Sequence, residues 1–277
     1  MTICYNTKKD APELASKWKE RITIMKYGLQ LYSVRDLAEV NYEAALRAVA
    51  EMGYDMVEPA GFFNNSAEDV AAMLKHYGLT ACSTHTGVKH LTPDVLNDTI
   101  AYHKTIGCQN LIIPAAKINT AEEVTVLVDL INRVQPILAA EGIQLHYHNH
   151  SREFRPNLDG LIVEEELAAR TNVKLQIDTF WAFNAGLRAI DVMEKYKDRI
   201  DFIHLKDGIP QNWADPESLP VGKSVGSGEA PVLEVRKKAI EMGVKIVIES
   251  EGLDPTGPEE AKRCIDFLRA VDAKEKN

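Results

Sequence analysis

The run "VKIVIES", residues 244–250, is apolar almost without a break until it meets a glutamate, and "NLIIP", residues 110–114, is apolar up to its proline. A strand with one face in water alternates apolar and polar side chains, whereas a strand covered on both faces need not. These two runs therefore predict parallel strands with helices packed over them. Working outward, similar short runs lie at "YGLQLY" (27–32), "YDMVEP" (54–59), "LTACSTH" (79–85), "IQLHYHN" (143–149), "VKLQID" (173–178) and "IDFIHLKD" (200–207). Each is followed by a helical stretch, at about 41–53, 66–78, 93–107, 120–142, 158–170, 186–198, 231–242 and 258–270. Ala44, Ala45, Ala48, Val49 and Met52 keep helical spacing before Gly53, and Ser66 with Asp69 three residues on comes close to a capping box.

Strand then helix, eight times over, predicts an α/β fold of the (β/α)8 TIM barrel type. A single barrel domain is expected over residues 25–277, preceded by a polar N-terminal extension over residues 1–24 whose removal should leave the protein folded and active. An open dinucleotide-binding sheet is disfavoured, because no G-x-G-x-x-G turn follows the first strand. The long connection 207–229 follows the seventh strand, and a connection of that length commonly carries function.

Composition narrows the partners. The net charge of −9 argues against a nucleic-acid surface. The four cysteines are scattered and form no C-x-x-C pair, which suits free thiols in a reducing cytoplasm. No apolar run is long enough to span a bilayer, so no membrane is expected.

In a barrel of this kind the C-terminal strand ends build the active site. Here those ends carry Gln30, Glu58, His85, His146, His148, Asp178, His204 and Glu249. "LHYHNH" (145–150) puts His146, His148 and His150 at alternate positions, on one side of a strand. Asp178 closes an apolar strand and needs a partner or a cation; capping the next segment is the plainer alternative. His204 sits between apolar neighbours, and Glu249 either joins a site or pairs with Lys206. Imidazoles and carboxylates from strands five to eight suit one divalent cation, Mn²⁺, Mg²⁺, Zn²⁺ or Co²⁺. Gln30, Glu58 and His85 are candidate substrate contacts, as is Trp181 in "TFWAF" (179–183). "VGSGEAP" (225–231) reads as a turn and only a weak phosphate cradle, since it lacks the P-loop lysine.

Together "GLQLYSVRD", "VEPAGF", "STHTG", "YHNHSREF", "IDTFWAFNAG", "FIHLKDG" and "VGSGEAPV", in this order across about 26–270, resemble the xylose-isomerase-like sugar phosphate isomerase/epimerase family. That resemblance implies a TIM barrel holding one divalent cation, with Mn²⁺ first among the choices, and a sugar substrate. It implies ligands at Asp178, His204 and Glu249, and it admits a homo-oligomer. The strand-five glutamate usual in the family is missing, and His146 or His148 takes its place. The nuclease branch of the superfamily fits poorly, since the histidine it expects three residues after Asp178 is Trp181.

The resulting expectation is a metal-dependent isomerase or epimerase acting through an enediolate. Glu249 would be one acid/base group, His148 or His150 the other, and Lys206 would stabilise negative charge. With only one of the family's two glutamates present, a dehydratase or lyase acting on a keto-sugar, inosose or 3-keto-glycoside is the rival. A non-catalytic sugar-binding barrel is the reading from another class.

Overall fold

The computed structural model describes residues 25–276, so the expected extension 1–24 lies outside the described residues. The strands are β1 (Tyr27–Gln30), β2 (Met56–Glu58), β3 (Thr80–Ala81), β4 (Thr84–His85), β5 (Asn110–Ile113), β6 (Gln144–His148), β7 (Lys174–Asp178), β8 (Ile200–Ile209), β9 (Val221–Lys223) and β10 (Lys245–Glu249). Their order is β3-β2-β1-β10-β8-β7-β6-β5-β4, with β9 paired antiparallel to the end of β8. All other pairings are parallel. β3 and β4 are two halves of one barrel strand, broken at Cys82 and Ser83. The amide of Cys82 donates to the carbonyl of Val57, and Asn110 Nδ2 reaches the carbonyl of Cys82 at 2.9 Å, so the broken strand still joins its two neighbours. Counting that pair once and leaving out the hairpin strand β9 gives eight barrel strands, the TIM barrel the alternation predicts.

Among the described residues ten α-helices cover it: α1 (Arg35–Ala38), α2 (Tyr42–Glu51), α3 (Ala67–Tyr77), α4 (Leu96–Thr105), α5 (Ala121–Ala140), α6 (Val163–Arg170), α7 (Thr179–Asn184), α8 (Ala189–Lys195), α9 (Val232–Met242) and α10 (Gly257–Lys276). Local chemistry sets their starts. Asn41, Ser66 and Thr120 each accept a backbone N–H three residues on, at the N-termini of α2, α3 and α5. The helix expected over 186–198 is two pieces beginning earlier. The Asp178 side chain caps α7 directly off β7, and the chain turns at Gly186 (φ 89°) before α8.

Side-chain parity sorts the barrel into two compartments. Leu29, Val57, Leu145, Tyr147, Leu175, Ile177, Ile203, Leu205, Ile246 and Ile248 belong to the large core shared with the helices. The alternate positions point inward. Met56, Cys82, Phe202 and Val247 form a small dry plug inside the barrel. Above it the inward positions are mostly polar, with Ile112 an apolar exception: Gln30, Glu58, His148, Gln176, Asp178, His204, Lys206 and Glu249 are all buried. Gly28 belongs to the plug layer, where a Cβ would press on Val247 at 3.3 Å.

One of the buried carboxyl groups outside that polar layer lacks hydrogen-bond partners. Glu164, in the first turn of α6, is 1% exposed and neither of its carboxylate oxygens has a hydrogen-bond partner. Burial, with the nearby Glu153 adding to it, pushes its pKa up to about 8 from 4.5. The folded state therefore binds this proton more tightly than the unfolded chain. Its stabilising effect is complete below about pH 4.5 and is lost as pH rises through about 8, a change on the order of several kcal/mol. Urea unfolding at pH 5, 7 and 9 should show the stability advantage of Glu164→Gln over the native chain growing with pH. A constant difference would rule this account out.

Candidate metal centre

Four inward side chains from four consecutive barrel strands converge at the C-terminal mouth. His148 ends β6, Asp178 ends β7, His204 lies in β8 and Glu249 ends β10. One ligand-type atom from each lies within 4.8 Å of the other three, and all four residues are buried. His85 forms a second such group with His148 and His204. Asp178 does two jobs at once. Its Oδ1 accepts the Trp181 amide at 2.9 Å as a helix cap, while its buried Oδ2 has no hydrogen-bond partner and lies 3.7 Å from His204 Nδ1. Asn149 holds the Asp178 backbone from both sides, accepting from its N–H and donating to its carbonyl.

Beneath this cluster Glu58 is fully buried and saturated. Its Oε1 accepts from Gln30 Nε2 at 2.7 Å and from His204 Nε2 at 2.7 Å, and lies 3.1 Å from His85 Nε2. Its Oε2 accepts from Gln176 Nε2 at 2.7 Å and from the Ser83 hydroxyl. A carboxylate can only accept, so the Gln176 amide must turn its nitrogen to Glu58 and its oxygen to the imidazoles. That oxygen accepts from His148 Nδ1 at 3.1 Å and from His85 Nε2 at 2.9 Å. Glu58 thereby sets His204 with Nδ1 toward Asp178 and Glu249, and Gln176 sets His148 with Nε2 free. Imidazoles braced through their far nitrogen are the usual arrangement at metal sites.

The expected substrate contacts Gln30 and Glu58 therefore serve the scaffold. Gln30 spends its other end on the Tyr32 amide at 3.0 Å, leaving neither residue free for a sugar hydroxyl. His146 is likewise not in the cluster. It lies two residues back along β6, one layer deeper, where Nε2 meets Asp201 Oδ2 at 3.2 Å and the ring packs edge-on against Phe202. The step of two residues keeps the direction of a strand side chain but moves it about 6.6 Å along the barrel axis. Of the two, His148 is the one that joins the cluster.

The rim holds the remaining candidates. His150 packs against His148 (5.0 Å between centroids) and Trp181 (5.4 Å), and its buried Nδ1 has no partner. Lys206, fully buried, pairs with Glu251 at 2.6 Å and Glu249 at 3.5 Å and lies 4.3 Å from the Trp181 ring centre. His85 closes the opposite side, its ring stacked 5.3 Å from that of His204.

The charges are consistent with this arrangement. Burial alone would raise the pKa of Glu58 and of Glu249, yet His85 and His204 hold Glu58 well below the usual range, and Lys206 with His204 does the same for Glu249. Burial would lower His204, but Glu58, Asp178 and Glu249 hold it well above its usual value. Burial and the neighbouring imidazoles push His148 well below its own. Two carboxylates, one of them with an orphaned oxygen, and two braced imidazoles form a donor set that fits a divalent cation.

The glycine-rich stretch after the seventh strand is a cradle already filled. Asp207 Oδ2 accepts the amides of Gly226 and Gly228, each at 2.9 Å. Its Oδ1 accepts those of Gly208 at 2.8 Å and Ala230 at 3.1 Å. A Cβ at Gly228 would collide with that carboxylate. The long connection 207–229 is thus partly ordered by the β8–β9 hairpin and by this carboxylate.

The barrel with this polar mouth defines a class, and comparison with known proteins identifies the family. The chain matches the xylose isomerase-like TIM barrel family over residues 46–271 and belongs to it. It is 27% identical over 192 residues to inosose dehydratase of Geobacillus kaustophilus, a match covering 60% of this chain and 61% of that protein. A sugar phosphate isomerase/epimerase of Parabacteroides distasonis superposes with a TM-score of 0.74 at 25% identity, covering 88% of this chain and 98% of the other. The IolI protein with a bound zinc atom superposes with a TM-score of 0.67 at 16% identity, covering 90% and 99%.

Gln176, Ser83, Asn149 and Glu251 are functional neighbours that sequence reading did not single out. Only Gln176 carried a signal: it precedes Asp178 by two residues and so shares its inward face. Glu58→Gln should keep the fold, checked by circular dichroism, and weaken binding of Mn²⁺ by roughly 10–100-fold in titration calorimetry. Unchanged affinity in a folded variant would show that Glu58 does not organise the ligands.

Proposed function

We propose that the chain is a divalent-metal-dependent dehydratase or lyase that removes the proton beside the carbonyl of a neutral keto-sugar or inosose-like ring. His148, Asp178, His204 and Glu249 would hold the cation, with Mn²⁺ the first candidate and Mg²⁺, Zn²⁺ and Co²⁺ the others. When bound, the cation supplies Lewis acidity that makes the neighbouring C–H more acidic. The observation that carries the reading is the unpartnered Nδ1 of His150 at the rim. The other imidazoles and carboxylates at the mouth are engaged with one another or, in His148 and Asp178, offered to the cation.

His150 takes the C–H proton, and the electron pair left behind becomes a carbon–carbon double bond. The bond from the next carbon to its oxygen substituent breaks, and the proton passes to the leaving oxygen, so that water or an alcohol is lost with no change in redox state. Lys206, held charged by Glu249 and Glu251, offsets the negative charge that develops. A neutral substrate is favoured because Asp207 occupies the anion cradle after the seventh strand. The inosose dehydratase relative supports the elimination, and the zinc-bound IolI neighbour supports the cation.

Isomerisation or epimerisation is the second reading. It is favoured by the name of the Parabacteroides protein and by the presence of both Glu249 and His150 as proton-handling groups. Proton NMR in D₂O on metal-loaded protein with an inosose or 3-keto-glycoside decides between them. Elimination gives an unsaturated product and a lost group, whereas an intact isomer carrying deuterium at carbon would sink the lyase reading. His150→Asn should lower kcat by roughly 10²–10⁴ while the metal content stays the same. Purified protein without a stoichiometric cation, and indifferent to Asp178→Ala, would point instead to a non-catalytic sugar-binding barrel. Inorganic phosphate at millimolar concentration should not compete with substrate; clear competition would argue for a phosphorylated one.

A further inference from the structure

A cavity opens on the side of the metal cluster where His85 stands. It has a volume of about 610 Å³ and lies between the segment after β2, the segment after β4 and helix α4. That is within the usual size of a small-molecule site. His85 lines it while its ring lies 4.9 Å from that of His148 and 5.3 Å from that of His204. His85 thus belongs both to the lining of this cavity and to the group of imidazoles at the cluster.

The walls are aromatic and the edge is polar. Phe62 stacks on Tyr102 with ring centres 4.2 Å apart, and Tyr102 is fixed by its hydroxyl donating to the Asn65 carbonyl at 2.9 Å. Phe63 stands at the rim, 39% exposed. Its backbone is left-handed (φ 48°), followed by Asn64 in the same region (φ 62°). Asparagine enters that region readily; phenylalanine seldom does, and such strain tends to gather where function needs a particular side chain held outward. Lys89 and Asp98 supply charge at the edge of the same cavity.

We propose that this cavity is the leaving-group subsite of a glycoside, and that it takes a flat aromatic aglycone attached to the sugar ring held at the metal cluster. The inference rests on the reading of the cluster as a keto-sugar site. It selects a glycoside among the substrates that reading allows: the group expelled is an aryl alcohol rather than water. The carbonyl must then be installed beforehand, by an oxidation of the glycoside's ring hydroxyl by another enzyme.

The test is calorimetric titration of the Mn²⁺-loaded full chain with phenyl and methyl glucopyranosides, each as both anomers. For at least one anomer the phenyl glycoside should bind about tenfold more tightly than the methyl one, the size of effect expected from aromatic contact. Phe63→Asn keeps a residue suited to the left-handed backbone, so it should fold and bind Mn²⁺ as before, yet lose most of that preference. Equal affinities in the native chain, a preference untouched by Phe63→Asn, or no binding of either glycoside would each overturn the proposal. Asp178→Asn reports on the parent reading separately. Methyl glycoside binding should fall with loss of the cation. If it persists while the phenyl preference also persists, the sugar is not held at the cluster although the aromatic subsite stands.

Discussion

The site depends on one carboxylate held in the middle of the barrel. An ion such as Glu58 is costly to bury, and the cost is offset only where every lone pair finds a donor. Gln30, Ser83, Gln176 and His204 supply those donors from strands that are far apart in the chain. The consequence runs upward. Because Glu58 accepts only, it dictates the direction of the Gln176 amide and the protonated nitrogen of His204, and Gln176 in turn dictates that of His148. The free edges of two imidazoles are thus fixed from below, without either having to touch a ligand.

Much of this was legible in the primary structure, for a physical reason. Burial on both faces leaves a strand apolar, and a polar residue at its end then stands out; Asp178, His204 and Glu249 were visible on those terms. Depth along the barrel was not. His146 and His148 have the same parity and differ only in height, which one strand does not reveal without its neighbours' register. In the structure Ile112 sets the level of His146, while His148 pairs with Gln176. Glu58 reads as a substrate contact for the same reason. Its role depends on partners as distant as Gln176 and His204, and no local pattern encodes such contacts. The two readings of Asp178, cap and ligand, turned out not to compete, because a carboxylate has two oxygens and the cap uses one.

The loop after the seventh strand shows how composition alone can mislead about an anion site. Glycines before a helix offer their amides to something negative. Here the chain supplies that charge itself in Asp207, one residue beyond the Lys206 that faces the cluster. The same contacts close the base of the β8–β9 hairpin and hold Lys206 in register between Glu249 and Glu251. A cradle of this kind contributes order rather than recognition.

Exchanging the strand-five carboxylate for His148 alters the electrostatics of the mouth. With Asp178 and Glu249 as the anionic ligands, the set carries two negative charges, equal and opposite to a divalent cation. A third carboxylate would leave the ensemble net negative and blunt its pull on a carbonyl oxygen. Glu58 does not restore that excess, because its charge is spent on His85 and His204 below the cluster. Glu249, in turn, is partly neutralised by Lys206. What the exchange removes is a second carboxylate base beside the reacting carbon. In the function proposed above, proton handling falls to the imidazole at the rim, where His150 packs beside Trp181. A site with strong polarising power and a single unengaged base favours chemistry that needs one proton removed and one group released. It is poorly suited to chemistry that must deliver a proton back from the opposite face.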